Sequence, residues 1–90
     1  MKILVVCGVG LGSSFMIELN VKKVLKELEI EAEVSHTDLT TGKAEKADYY
    51  IGSPEIMEQL DDGVRKIISL KNLFSLPEIK EAIQKNIVNN

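Results

Sequence analysis

The chain has no tryptophan, a single cysteine, a single histidine and two prolines in 90 residues, and its net charge is −3. One cysteine makes neither an internal disulfide nor a zinc cluster, so the fold must stand on packing, as cytosolic domains do. The mild acidity is spread along the chain and offers no basic footprint for nucleic acid and no polybasic patch for anionic lipid. No stretch approaches the roughly 18–20 apolar residues of a membrane helix. The apolar start is broken by glycines, only Lys2 precedes it and no cleavage pattern follows before Glu18, so a signal peptide is not indicated and a cytoplasmic protein is expected. At 44% hydrophobic and 28% charged residues, the composition is that of one compact domain spanning 1–90.

The apolar pattern alternates between strands and helices. Lys2-Ile3-Leu4-Val5-Val6 is a continuous run that suits a strand buried on both faces, as in a parallel sheet. From Ser13 the pattern becomes helical, with Ile17, Val21, Val24, Leu25 and Leu28 on one face, Glu18 and the lysines largely on the other, and Glu18 and Lys22 as an i,i+4 pair. Ala32–Thr37, Ala47–Ile51 and Val64–Leu70 read as further strands, Pro54–Leu60 as a short helix capped by Ser53, and Thr40–Lys43 as a polar loop. Asp61-Asp62-Gly63 marks a turn. Ser75 and Glu78 have capping-box spacing ahead of a last helix with Ile79, Ala82, Ile83 and Ile87 inward. This order predicts an α/β fold, a four-stranded parallel sheet in the order 2-1-3-4 with helices on both faces.

Chemistry concentrates between the first strand and the first helix, in Cys7-Gly8-Val9-Gly10-Leu11-Gly12-Ser13-Ser14. In an open parallel sheet, ligands bind beyond the carboxyl ends of the strands, where this loop falls. Alternate glycines let successive N–H groups converge, and a helix start adds unpaired amides, its dipole and two serine hydroxyls, a cradle for a phosphate-sized oxyanion. The same field stabilises a thiolate at Cys7. A Walker loop is excluded because no lysine occurs between Lys2 and Lys22. The dinucleotide fingerprint needs G-x-G-x-x-G, whereas here the glycines fall G-x-G-x-G. A cysteine alone would more often be a buried small hydrophobe. Its place after a strand, the glycine spacing and the paired serines reverse that preference.

The loop resembles the phosphocysteine loop of enzyme IIB components of the bacterial sugar phosphotransferase system. It looks most like the ascorbate-specific branch, whose Cys-Gly-x-Gly-x-Gly-Ser-Ser run leads into a methionine-containing apolar helix start, here Phe15-Met16-Ile17. The likeness extends to chain size, element order and Lys71-Asn72-Leu73-Phe74-Ser75. It implies that a phosphohistidine IIA protein phosphorylates Cys7, that Gly8, Val9, Gly10, Leu11, Gly12, Ser13 and Ser14 hold the phosphoryl group, and that the acceptor is a sugar in the membrane IIC protein. No cofactor or metal is implied. Ascorbate-type loops commonly carry asparagine where this chain has Val9, which leaves a galactitol-type or an uncharacterised pentitol system open.

A second resemblance is to low-molecular-weight tyrosine phosphatases, in a flavodoxin-like half fold. Their Cys-x5-Arg-Ser loop has arginine where this chain has Ser13. Losing the bidentate guanidinium fits a carrier better than a hydrolase. A phosphate- or nucleotide-binding module in which Cys7 never reacts is the alternative from another class. Among the other residues, His36 is expected in a solvated loop, Asp38 and Asp48 at the surface, and Tyr49 and Tyr50 across a strand, one inside and one against a helix. Phe15 and Met16 form either an apolar rim for partners or ordinary core.

Overall fold

The computed structural model describes residues 1–7, 11–72 and 74–88, with backbone alone at 7 and 11–14. The elements run β1 (Lys2–Cys7), α1 (Leu11–Glu27), β2 (Glu33–Asp38), α2 (Leu39–Ala44), β3 (Tyr49–Gly52), α3 (Pro54–Leu60), β4 (Ile67–Ser69) and α4 (Leu76–Ile83), followed by a π-helical segment over Gln84–Val88. The four strands form one parallel sheet in the order β2-β1-β3-β4, as the alternating pattern predicts. Having β1 between β2 and β3 explains its continuous apolar run, because both of its faces are covered. Ile3 and Val5 lie with Ile17, Val21, Val24 and Leu25 of α1 and Ile79 and Ile83 of α4, whereas Leu4 and Val6 face Met57 and Leu60 of α3. Tyr49 and Tyr50 divide the same way and both are buried.

Three of the elements that depart from the sequence pattern do so for a local reason. The stretch Thr40–Lys43, expected as loop, lies in α2. Asp38 caps that helix by accepting the Thr41 N–H at 2.7 Å, and a Cβ at buried Gly42 would lie 3.2 and 3.3 Å from the Val6 methyls, so glycine lets the helix sit close on β1. β4 starts at Ile67 rather than Val64, because Asp62 Oδ1 accepts the Val64 and Arg65 N–H groups, both at 2.9 Å, and prolongs the turn; Val64 is 86% exposed. β3 starts at Tyr49, since the Ala47 N–H donates to the Tyr50 hydroxyl at 3.0 Å instead of to a strand.

Caps and clasps use the polar residues. Ser75 caps α4 by accepting the Glu78 N–H at 3.4 Å, but the Glu78 carboxylate does not return to the Ser75 amide as a capping box requires. It accepts from the Lys71 and Asn72 N–H groups at 2.6 and 3.2 Å, tying the segment after β4 to the start of α4. Arg65 reaches across the opposite end of the sheet, donating to the Leu60 and Lys43 carbonyls at 3.1 and 2.6 Å with its guanidinium 5.5 Å from the Tyr50 ring centre.

Candidate functional site

The register places Cys7 opposite Asp38, each the last residue of its strand, at the carboxyl edge of the sheet. Gly8, Val9 and Gly10 separate Cys7 from α1 and lie outside the described residues. Leu11, Gly12, Ser13 and Ser14 form the opening turn of α1, which begins two residues ahead of the position read from the apolar pattern. The first amides of any α-helix have no partner within it. Cys7 ends the strand, and α1 begins three residues after it in the chain.

His36 is not solvated in a loop; it belongs to the strand that the alternating pattern placed at Ala32–Thr37. It lies within β2, paired with Val5 and two positions before the strand ends, and its side chain is 29% exposed. Its Nδ1 is 3.0 Å from the Glu18 carboxylate, and the Phe15 ring meets the imidazole edge-on at 6.2 Å between centroids. Glu18, expected on the solvent face, is 8% exposed and also holds Lys22 at 3.3 Å. Burial raises the Glu18 carboxyl, but hydrogen bonds from His36 and Lys22 and their charges outweigh it, leaving the group below its ordinary value. The sequence does contain a signal for this placement: Glu18 stands three residues before Val21 and seven before Leu25, on the stripe that packs inward.

A depressed carboxyl contributes stability above its unfolded-state value and loses it as pH falls through the folded-state value. Glu18→Gln is therefore expected to lower stability by about 1–3 kcal/mol at neutral pH. The difference from wild type should shrink as pH falls below the ordinary carboxyl value of 4.5. Urea titrations at a series of pH values measure this. A gap that stays constant into acid would assign the loss to packing instead of charge.

The other candidates separate from the site or join it at the rim. Asp38 serves as the α2 cap, and the Thr41 backbone and side-chain hydrogen bonds hold its carboxyl below the usual value. Asp48 accepts the Lys2 N–H at 2.6 Å, at the amino edge of the sheet. Asp61-Asp62-Gly63 is a turn, as predicted, with the Gly63 N–H donated to Asp61 and Gly63 at φ +84°. Among the described residues no group of His, Cys, Asp and Glu could hold a metal ion, and no helix is long and apolar enough to cross a membrane. A cleft of about 470 Å³ between Lys43, Tyr50, Arg65 and Lys66 opens at the amino edge, away from Cys7. Phe15, Met16 and Leu19 of α1 are 49, 50 and 43% exposed, and Phe74, after β4, is 56% exposed, which resolves Phe15 and Met16 as surface rather than core.

Known proteins converge on one family. Residues 2–85 match the family described as "PTS system, Lactose/Cellobiose specific IIB subunit". The chain is 33% identical over 88 residues to the "Ascorbate-specific PTS system EIIB component" of Mycoplasma pneumoniae, covering 94% of this chain and 93% of that protein. The lactose-specific IIB component domain of the Streptococcus pneumoniae phosphoenolpyruvate:carbohydrate phosphotransferase system (PTS) superposes with a TM-score of 0.55 at 17% identity, covering 94% of this chain and 92% of the other, a likeness of fold. With 84 consecutive residues inside that family, from Lys2 to Lys85, this chain belongs to the lactose/cellobiose-type IIB components of the phosphotransferase system.

Proposed function

We propose that this IIB component is a cytoplasmic phosphoryl carrier of one domain, 1–90, in which Cys7 takes a phosphoryl group from a phosphohistidine IIA protein and gives it to a sugar held by a membrane IIC protein. The observation that carries the reading is the position of Cys7, the last residue of central strand β1, with three residues between it and α1. The Cys7 thiolate attacks phosphorus in line with the leaving imidazole. An S–P bond forms as the N–P bond breaks, and the N–P electron pair stays on the imidazole, which takes up a proton. Amides of Gly8–Ser14 and the Ser13 and Ser14 hydroxyls hold the equatorial oxygens. In the onward step a substrate hydroxyl attacks, its proton passes to solvent or a base, and the thiolate returns.

The ascorbate-specific relative supports an ascorbate-like or related substrate, with Val9 as the position that bears on the choice. Ser13, in place of a phosphatase arginine, leaves the loop without a guanidinium to stabilise hydrolysis. Incubation with phosphoenolpyruvate, the general phosphotransferase proteins and candidate IIA proteins should add one phosphoryl group, located on Cys7 by mass spectrometry and released by iodine. Steady phosphate release from p-nitrophenyl phosphate would identify a phosphatase instead.

A further inference from the structure

Among the described side chains of α1, burial begins at Ile17 and Glu18; Phe15 and Met16, two residues nearer Cys7, are about half exposed. The earliest described ties between this helix and the sheet are thus the edge-on contact of Phe15 with His36, one apolar contact residue and one polar pair, and His36 makes two of the three. Glu18 is the only buried charged residue among those described. Burying a carboxylate is costly unless its oxygens are engaged, and His36 from β2 and Lys22 from α1 engage them at 3.0 and 3.3 Å. His36 is rooted in the strand beside β1, opposite Val5, so it ties α1 to the backbone that ends at Cys7 two residues later. An aliphatic pair at these positions would fill the space but would slide. A directional bond sets the rotation and the height of the helix.

We infer that Glu18 and His36 are positioning residues for Cys7: their hydrogen bond sets the opening turns of α1, and with them the amides and dipole end, against the end of β1. The inference deepens the carrier reading and rests on it for its catalytic meaning, but its first readout concerns the thiol alone. A helix end displaced from a nearby charge loses part of its stabilisation of that charge. The expected loss of thiolate at neutral pH is therefore about two- to tenfold.

The test measures the pH dependence of Cys7 alkylation by iodoacetamide, well below every melting temperature, in wild type, His36→Ala, His36→Asn and Val24→Ala. His36→Ala removes the donor and should slow alkylation about two- to tenfold at neutral pH by raising the thiol's apparent pKa. His36→Asn sets an amide N–H near the place of Nδ1–H and should restore most of the rate. Val24→Ala loosens the middle of α1 without touching the pair; it should lower stability and leave the thiol titration as in wild type. Should His36→Ala fail to fold, Glu18→Leu, which removes the acceptor and fills the space, takes its place and is read the same way.

Alkylation of His36→Ala at the wild-type rate overturns the proposal. So does a loss in Val24→Ala equal to that in His36→Ala, or a His36→Asn variant as slow as His36→Ala. Phosphoryl uptake from a IIA donor is measured on the same proteins. Wild type that takes up no phosphoryl group overturns the carrier reading, whichever way alkylation turns out.

Discussion

Gly52→Ala is expected to destabilise the protein by about 3 kcal/mol or more, the upper end of what overpacking costs. Gly52 ends β3 beside β1, and a Cβ there would lie 2.6 Å from the Val6 carbonyl oxygen and 2.8 Å from the Met57 terminal methyl. The methionine methyl is the end of a flexible chain and can move aside. The carbonyl cannot, because it belongs to the backbone of the central strand, and Gly52 is itself held on its other side by the Leu70 N–H at 2.9 Å. Relief must come from parting β1 and β3 where their pairing approaches the carboxyl edge. At about 4–8 °C per kcal/mol for a chain of this size, the melting temperature should fall by well over 10 °C.

Gly42→Ala is the internal comparison. Its Cβ would press on the Val6 methyls at 3.2 and 3.3 Å, side-chain atoms that can give, and alanine gains up to about 1 kcal/mol of helix propensity. That variant should stay within about 1 kcal/mol of wild type. Urea unfolding of both variants measures the contrast, and equal losses would show that the approach of Gly52 to β1 is not limiting. Because Val6 precedes Cys7, Gly52→Ala molecules that do fold should also take up phosphoryl groups more slowly than Gly42→Ala molecules.

What the sequence made legible follows the strength of local signals. Ile3-Leu4-Val5-Val6 could only be a strand covered on both faces, and crossover connections then left few strand orders, of which 2-1-3-4 is the one formed. Helix α2 was illegible because Thr40, Thr41 and Gly42 are poor helix formers. What holds them is tertiary, the Asp38 cap and the close seat of Gly42 on Val6. The shorter β4 was hidden for the opposite reason. Val64 and Ile67 look alike as strand formers, and the Asp62 carboxylate, not hydropathy, decides where the turn ends.

At the site, the glycine and serine spacing was legible as a motif because phosphate loops are made by backbone. The Glu18–His36 pair was not, since a glutamate followed four residues later by lysine has an ordinary reading as a surface ion pair. The spacing of Glu18 from Val21 and Leu25 puts it on the inward stripe, but only the approach of β2 shows the partner that meets it there. Helical spacing alone does not say whether Phe15 and Met16 face solvent; the buried stripe starting at Ile17 leaves them outside, next to the loop.

Cys7→Ser is expected to fold with stability within about 1 kcal/mol of wild type and to lose phosphoryl uptake by at least ~10³-fold. The two side chains differ by one atom at a strand end, so whatever phosphate the loop binds should still bind. The nucleophile is another matter. Free cysteine ionises near pH 8.5, and a helix start lowers that further, whereas a serine hydroxyl stays protonated unless a general base removes its proton. Asp38 accepts from Thr41 and the Nδ1 of His36 is engaged by Glu18, so the His36 Nε2 is the one nitrogen of that pair left to serve as such a base, on a residue that sits opposite Val5 rather than Cys7. Any phosphoserine that did form would be a phosphate ester with a poor leaving group, unable to pass the phosphoryl group on. Three measurements on the pair of proteins separate the readings: phosphoryl uptake from a IIA donor, inorganic phosphate affinity, and thiol titration of the wild type. Uptake lost with phosphate affinity kept, and a thiol ionising well below the free value, is the carrier's signature. Unchanged phosphate affinity in Cys7→Ser, with no uptake in wild type and an ordinary thiol, is that of a binding module. Uptake that persists in Cys7→Ser would move the acceptor to another side chain, with His36, acid-labile when phosphorylated, the first to examine.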